Sequence, residues 1–140
     1  MAIQLTEEWQ SAIDGALVDG CPIVWSSVDP EGQPYLAFFG TTQALDEQRI
    51  ALWMRTPERG FLQRIEKNPK VALLYRNPQT RLAFQIHGEA RREDDPGLCD
   101  QIYENSAEVE RERDPDRIGV AVVVDVVRVI QRGEVVQVRD

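Results

Sequence analysis

The chain has 140 residues, 42% of them apolar, and a formal net charge of −8. That length suits one domain spanning residues 1–140 with a real core. No stretch approaches the roughly 18 consecutive apolar residues of a membrane span, and an acidic surface repels phosphate backbones, so membrane and nucleic acid are poor principal partners.

Residues 1–8 lack the basic start and apolar run of a secretory signal. Cys21 and Cys99 stand far apart, with no redox or metal-like spacing. The expectation is a cytoplasmic protein with two reduced thiols. The acid is unevenly spread. Glu93-Asp94-Asp95 and Glu104–Asp116 hold much of it, whereas Arg49–Arg81 carries an excess of base.

Leu5, Trp9, Ile13 and Leu17 recur every four residues, which predicts a helix over about 6–18. Thr6 suits its N-cap, and Glu7 and Glu8 lie where the helix dipole favours acids. From Pro22 the pattern changes to strands. Ile23–Val28 and Tyr35–Phe39 flank the turn Asp29-Pro30-Glu31-Gly32-Gln33, and Arg49–Met54 is a third strand.

Thr56, Pro57, Phe61, Leu62 and Ile65 predict a helix opening at Thr56 and stopped by Asn68-Pro69. Lys70–Tyr75 is a fourth strand. Leu82–Arg91 is a fifth, with Leu82, Phe84 and Ile86 opposite Ala83, Gln85 and His87. Asp95-Pro96 opens another helix. The acidic, poorly periodic stretch from Glu104 to Asp116 reads as solvated surface. The valine-rich Ile118–Ile130 and the short strand to Val138 complete the pattern. Valine-rich strands seek closure, which suggests a small, mostly antiparallel closed barrel over about 22–131 with a terminal strand near 134–138.

The segment that suggests chemistry is Arg55–Pro69. A helix start offers free N–H groups and partial positive charge, and Arg55 and Arg59 lie beside it. Those residues with the Thr56 hydroxyl could cradle a phosphate. The alternative is that the arginines pair with Glu58 and other surface acids. His87 is the single histidine, which leaves no His-based metal cluster or triad; a lone strand histidine is structural or interfacial more often than catalytic. Trp25, Trp53, Tyr75 and Phe84 could stack on a ring, although barrel aromatics usually fill the core. Arg76-Asn77 could reach the same cavity or serve only the turn.

The runs Ile50-Ala51-Leu52-Trp53-Met54-Arg55-Thr56, Glu66-Lys67-Asn68-Pro69-Lys70-Val71-Ala72-Leu73-Leu74-Tyr75 and His87-Gly88-Glu89-Ala90 resemble, in that order, the pyridoxamine 5′-phosphate oxidase-like family of flavin-binding split barrels. The resemblance spans about residues 8–131. It implies a mainly β fold, a six-stranded antiparallel split barrel of the FMN-binding type with flanking helices. It also implies a homodimer holding flavin mononucleotide (FMN) at its interface, where the flavin carries the electrons of an oxidoreductase acting on a small organic substrate.

The Ser-Arg-Lys-like triplet that holds the phosphate in the family falls on Arg59-Gly60-Phe61. Phe61 stands where lysine is usual, which argues against a pyridoxamine phosphate oxidase proper. Arg55 falls at the earlier hydroxyl position, beside Thr56. The flavin-ring glutamine falls near Ala83, with Gln85 two residues on. The implied cofactor-binding set is Arg55, Thr56 and Arg59 with Trp53, Met54, Arg76 and Gln85; no catalytic residue or metal ligand is assigned. Two alternatives keep the fold. One is a deazaflavin-dependent reductase, for which Arg76 and Arg81 would suit a more anionic tail. The other is a flavin or haem carrier, or a cofactor-free stress or regulatory module, which an acid-filled cleft would favour.

Overall fold

The computed structural model describes residues 2–140. Helix α1 (Glu7–Gly15) starts where the Thr6 hydroxyl accepts from the Trp9 amide at 3.1 Å. It buries Trp9 and Ile13 and stops short of the expected residue 18, and residues 16–20 form turns. Strands β1 (Val24–Val28) and β2 (Pro34–Phe38) form the first hairpin. The Asp29 carboxylate shapes its turn by accepting from the amides of Glu31 and Gln33, both at 2.9 Å.

After β3 (Gln43–Ala44) and β4 (Arg49–Met54), a 3-10 turn (Pro57–Arg59) leads to α2 (Phe61–Lys67). There follow β5 (Lys70–Arg76), β6 (Ala83–Glu93), α3 (Pro96–Glu104), α4 (Glu108–Glu112), β7 (Val120–Gln131) and β8 (Glu134–Val138). Asp95 caps α3 by accepting from the Leu98 amide at 2.9 Å.

The strands form one antiparallel sheet of order β2-β1-β5-β6-β7-β4-β3, with β8 added on β7. It has eight strands, one more than the six barrel strands and the terminal strand expected near 134–138. The two-residue β3 is too short to carry a pattern, and β8 hangs off the main path. The sheet curls around one core. Trp25, Leu73, Ile86 and Val129 lie side by side across β1, β5, β6 and β7, all buried. Strands β4 and β7 are covered on both faces. Ile50, Leu52, Val122 and Val124 face the barrel core, while Ala51, Trp53, Ala121 and Val123 lie beneath Ile102 and Tyr103 of α3. Double burial explains the unbroken apolar runs, each fully buried aliphatic side chain contributing roughly 1.5–3 kcal/mol.

The expected closure does not occur. Strands β2 and β3 sit at opposite ends of the strand order, and no ladder joins β2 to β3 or β4 among the described residues. The connection Phe39–Thr42 spans this gap. Thr41 Oγ1 accepts from the Trp53 amide (3.1 Å) and donates to the Trp53 carbonyl (2.5 Å), while the Trp25 indole donates to Thr42 (2.9 Å). The result is a half-barrel with a split between β2 and β4.

Candidate functional site

The split opens into a cleft of about 460 Å³. Residues 35–41 form one wall, Leu52–Met54 the base, and Arg55, Thr56, Arg59, Phe61 and Arg64 the other wall; Glu110 enters from α4. Three arginines against one glutamate give the lining a formal charge of +3 − 1 = +2, in a chain of net charge −8. Part of the cationic bias read from the sequence, Arg55, Arg59 and Arg64, therefore falls at one concave place.

The local architecture differs from the expected one. Thr56 does not cap an α-helix: Pro57–Arg59 close as a 3-10 turn, and Gly60 at φ 95° precedes α2 with no side-chain cap. Proline in the tight turn and glycine in the left-handed region delay the helix by four residues. With seven residues, α2 is too short to act as a dipole-based anion site. Any hold on an anion falls to side chains.

Arg55 Nε donates to Glu110 Oε2 at 2.7 Å, and Arg113 reaches the other oxygen at 3.4 Å. Glu110 is nearly buried, its side chain 8% exposed. Arg64 donates from Nε to the Ser27 hydroxyl at 2.7 Å, and its guanidinium lies 4.1 Å from the centre of the Tyr35 ring. Arg59 is exposed at the cleft wall, without a side-chain hydrogen bond among the described residues. Phe61 fills the barrel end, edge-on to Trp25 and Phe39 at 5.8 and 5.1 Å between ring centres. Its apolar packing explains why no cation stands at that position.

Asp114, in the stretch read as solvated surface, is buried instead. It accepts from the Trp53 indole (2.9 Å) and from the amides of Ile118 and Gly119 (both 2.8 Å). Burial alone pushes its carboxyl up, but these bonds and the charge of Arg55 together hold it below the ordinary value. Tyr103 donates to the Asp114 carbonyl at 2.9 Å and packs edge-on to Trp53 at 5.1 Å. Trp53 thus borders the cleft with its indole N–H already engaged.

Of the residues expected to bind a cofactor, Trp53, Met54, Arg55, Thr56 and Arg59 meet in this cleft. Arg76 and Gln85 do not join them. Arg76 ends β5 beside Phe38, Leu74 and Pro78, in a separate depression. Gln85 Oε1 lies 2.6 Å from His87 Nε2, and His87 Nδ1 lies 3.1 Å from an Arg128 nitrogen. A guanidinium only donates, so Nδ1 accepts and Nε2 carries the proton given to Gln85. Burial, then the Arg128 charge, lowers the His87 pKa. Arg81 lies in the turn before β6, at φ 65°.

Sequence reasoning missed Arg64, Tyr35 and Glu110. Arg64 could have been found on α2 opposite the stripe of Phe61, Leu62 and Ile65. No local signal marks Glu110, whose partner Arg55 lies 55 positions away.

A curled antiparallel sheet left open along one seam, with an arginine-rich cleft in that seam, defines a split β-barrel protein. The chain belongs to the pyridoxamine 5′-phosphate oxidase family, whose sequence model matches residues 10–133. Similar solved structures include an FMN-binding protein from Syntrophomonas wolfei, with TM-score 0.70, 11% identity, and coverage of 95% of this chain and 87% of that one. A pyridoxamine 5′-phosphate oxidase-related, FMN-binding protein from Nostoc punctiforme gives 0.65, 16%, 89% and 84%. An F420 reductase gives 0.66, 17%, 90% and 98%. At these identities the likeness shows the fold. No curated protein matches the sequence.

Proposed function

We propose that the cleft binds FMN and that the protein is a flavin-dependent oxidoreductase acting on a small organic substrate. The observation that carries this is the gathering of Arg55, Arg59 and Arg64 in a 460 Å³ cleft whose facing wall carries Tyr35 and Phe39. That volume lies within the roughly 300–1,000 Å³ of small-molecule sites. The donor set fits the ligand: guanidinium groups and the Thr56 hydroxyl suit a phosphate, and Tyr35, whose ring Arg64 covers, borders the same cleft. The family and the FMN-binding structures of the same fold support the choice.

Bound flavin would supply the electron or hydride transfer, so the lack of a nucleophile with an adjacent base is no obstacle. The chain's own part is to anchor the phosphate on Arg55, Thr56 and Arg59, to orient the ring against the aromatic wall, and to limit water at the seam. A second copy of the chain would cover the cleft mouth, because β2 leaves Leu36 and Phe38 75% and 68% exposed beside it. The test is the visible spectrum of the purified protein together with FMN titration. Absence of flavin bands and of saturable FMN binding would overturn the reading.

A deazaflavin on the same fold finds less support, because Arg76 and Arg81 do not extend the cationic wall. A cofactor-free module is favoured by one observation, the Glu110 carboxylate seated on Arg55 inside the cleft. Unchanged spectra and thermal stability with added FMN would select that reading.

A further inference from the structure

The α4 helix has one buried residue, and it is an acid. Val109 is 46% exposed, Glu108 and Glu112 face solvent, and only Glu110 turns inward. A five-residue helix without an apolar anchor gains little from packing, so its hold on the body comes from the Arg55–Glu110 ion pair and from Arg111, whose carbonyl accepts from the Tyr103 hydroxyl at 3.2 Å and whose guanidinium donates to the carbonyls of Glu104 and Ser106. The seat is shaped for the carboxylate. A Cβ at Gly40, on the opposite wall, would meet Glu110 Oε1 at 3.2 Å and Leu17 Cδ1 at 3.3 Å, so only glycine leaves the space fully open.

The flanks of α4 are held independently. Asp114 is bonded to Trp53, Ile118 and Gly119, and the Ser106 hydroxyl donates to the Ile102 carbonyl at 2.9 Å. A segment fixed at both ends and at Arg111 is loosened, without unfolding, when the Glu110 side chain leaves Arg55.

Resting on the FMN reading of this cleft, we infer that Glu110 is a built-in stand-in for the ligand's phosphate. It occupies Arg55 while the cleft is empty and leaves when an anionic ligand arrives. The carboxylate engages Arg55 only through Nε, but it offsets the guanidinium charge and repels a phosphate at the remaining N–H groups, so its departure favours the phosphate. Glu110 thereby sets selectivity. A phosphorylated flavin can replace its bond to Arg55, whereas an unphosphorylated one gains nothing by displacing it.

The test is equilibrium titration of wild type, Glu110→Gln, Arg55→Ala and the double variant with FMN and with riboflavin. Amide hydrogen exchange over residues 105–117 of the wild type, with and without FMN, is followed in parallel. Glu110→Gln is expected to bind FMN about tenfold more tightly than wild type, as removal of one charge-assisted competitor implies. The gain should vanish in the Arg55→Ala background and be absent for riboflavin, and exchange around α4 should rise when FMN binds the wild type. FMN binding that Glu110→Gln leaves unchanged or weakens, a gain equal for riboflavin, or exchange that slows would each overturn the latch and leave the FMN reading standing. Failure of all four proteins to bind FMN would overturn that reading, and the latch with it.

Discussion

Arg55 stands between two negative partners, the Glu110 carboxylate it holds at 2.7 Å and the phosphate proposed for the cleft. Arg59 has no such rival. Arg59→Ala should therefore weaken FMN binding by about 1.5–3 kcal/mol, the worth of a charge-assisted bond. Arg55→Ala should cost somewhat less, because the wild-type residue must first release Glu110. Fluorescence titration of both variants checks the order, and equal affinity to wild type would show the phosphate lies elsewhere.

Asp114 belongs to the fold more than to the ligand. Its folded pKa is depressed, so its contribution to stability is fully present above the ordinary aspartate value of about 3.9 and is lost as pH falls below that through the folded value. Asp114→Ala leaves three donors unmet, two of them buried, and should cost about 2–4 kcal/mol at neutral pH. Urea unfolding at pH 7 and pH 3 should show the difference between variant and wild type shrinking with acid.

At the scale of elements, the long pieces were legible because each carries a period or an unbroken apolar run. Strands β4 to β7 and the helices α1 and α3 follow from Trp9–Ile13, Phe84–Ile86, Val120–Ile130 and the caps Thr6 and Asp95. What escaped was short or set from a distance. Helix α4 has no apolar stripe to read, and β3 is two residues long. The start of α2 was misplaced because Thr56 and Pro57 read as a helix opening, although Gly60 decides it. The burial of Glu110 and Asp114 depends on Arg55 and Trp53, which only the folded chain brings near.

The Gly-x-Ala unit of β6 has a clear physical reason. Strand β6 is irregular between His87 and Gly88, and a Cβ at Gly88 would lie 2.7 Å from the Asp125 carbonyl and collide with Val124. Gly88→Ala should destabilise the protein by about 1–3 kcal/mol, as overpacking does. An unchanged denaturation midpoint would contradict this.

For the whole molecule, the open seam sets the cleft beside an exposed edge strand. Strand β2 is an edge, and its register places Phe38 beside Val24 and Leu74, and Leu36 beside Ser26 and Ala72, on the outer face. An exposed apolar edge is an aggregation hazard unless something covers it. The second copy of the chain proposed above would meet that need while screening the cleft. The double variant Leu36→Asp, Phe38→Asp should sediment as a monomer and bind FMN less tightly, whereas a wild type that sediments as a monomer at all concentrations would remove the dimer from the proposal.

The most direct measurement is a titration of the purified protein with FMN, read by flavin fluorescence and visible absorbance, with Arg59→Ala alongside. Flavin bands in the protein as isolated, or saturable binding of added FMN that weakens in Arg59→Ala, is the expected result. Absence of both bands and binding, or binding indifferent to Arg59, would contradict the assignment of this cleft as a flavin phosphate site.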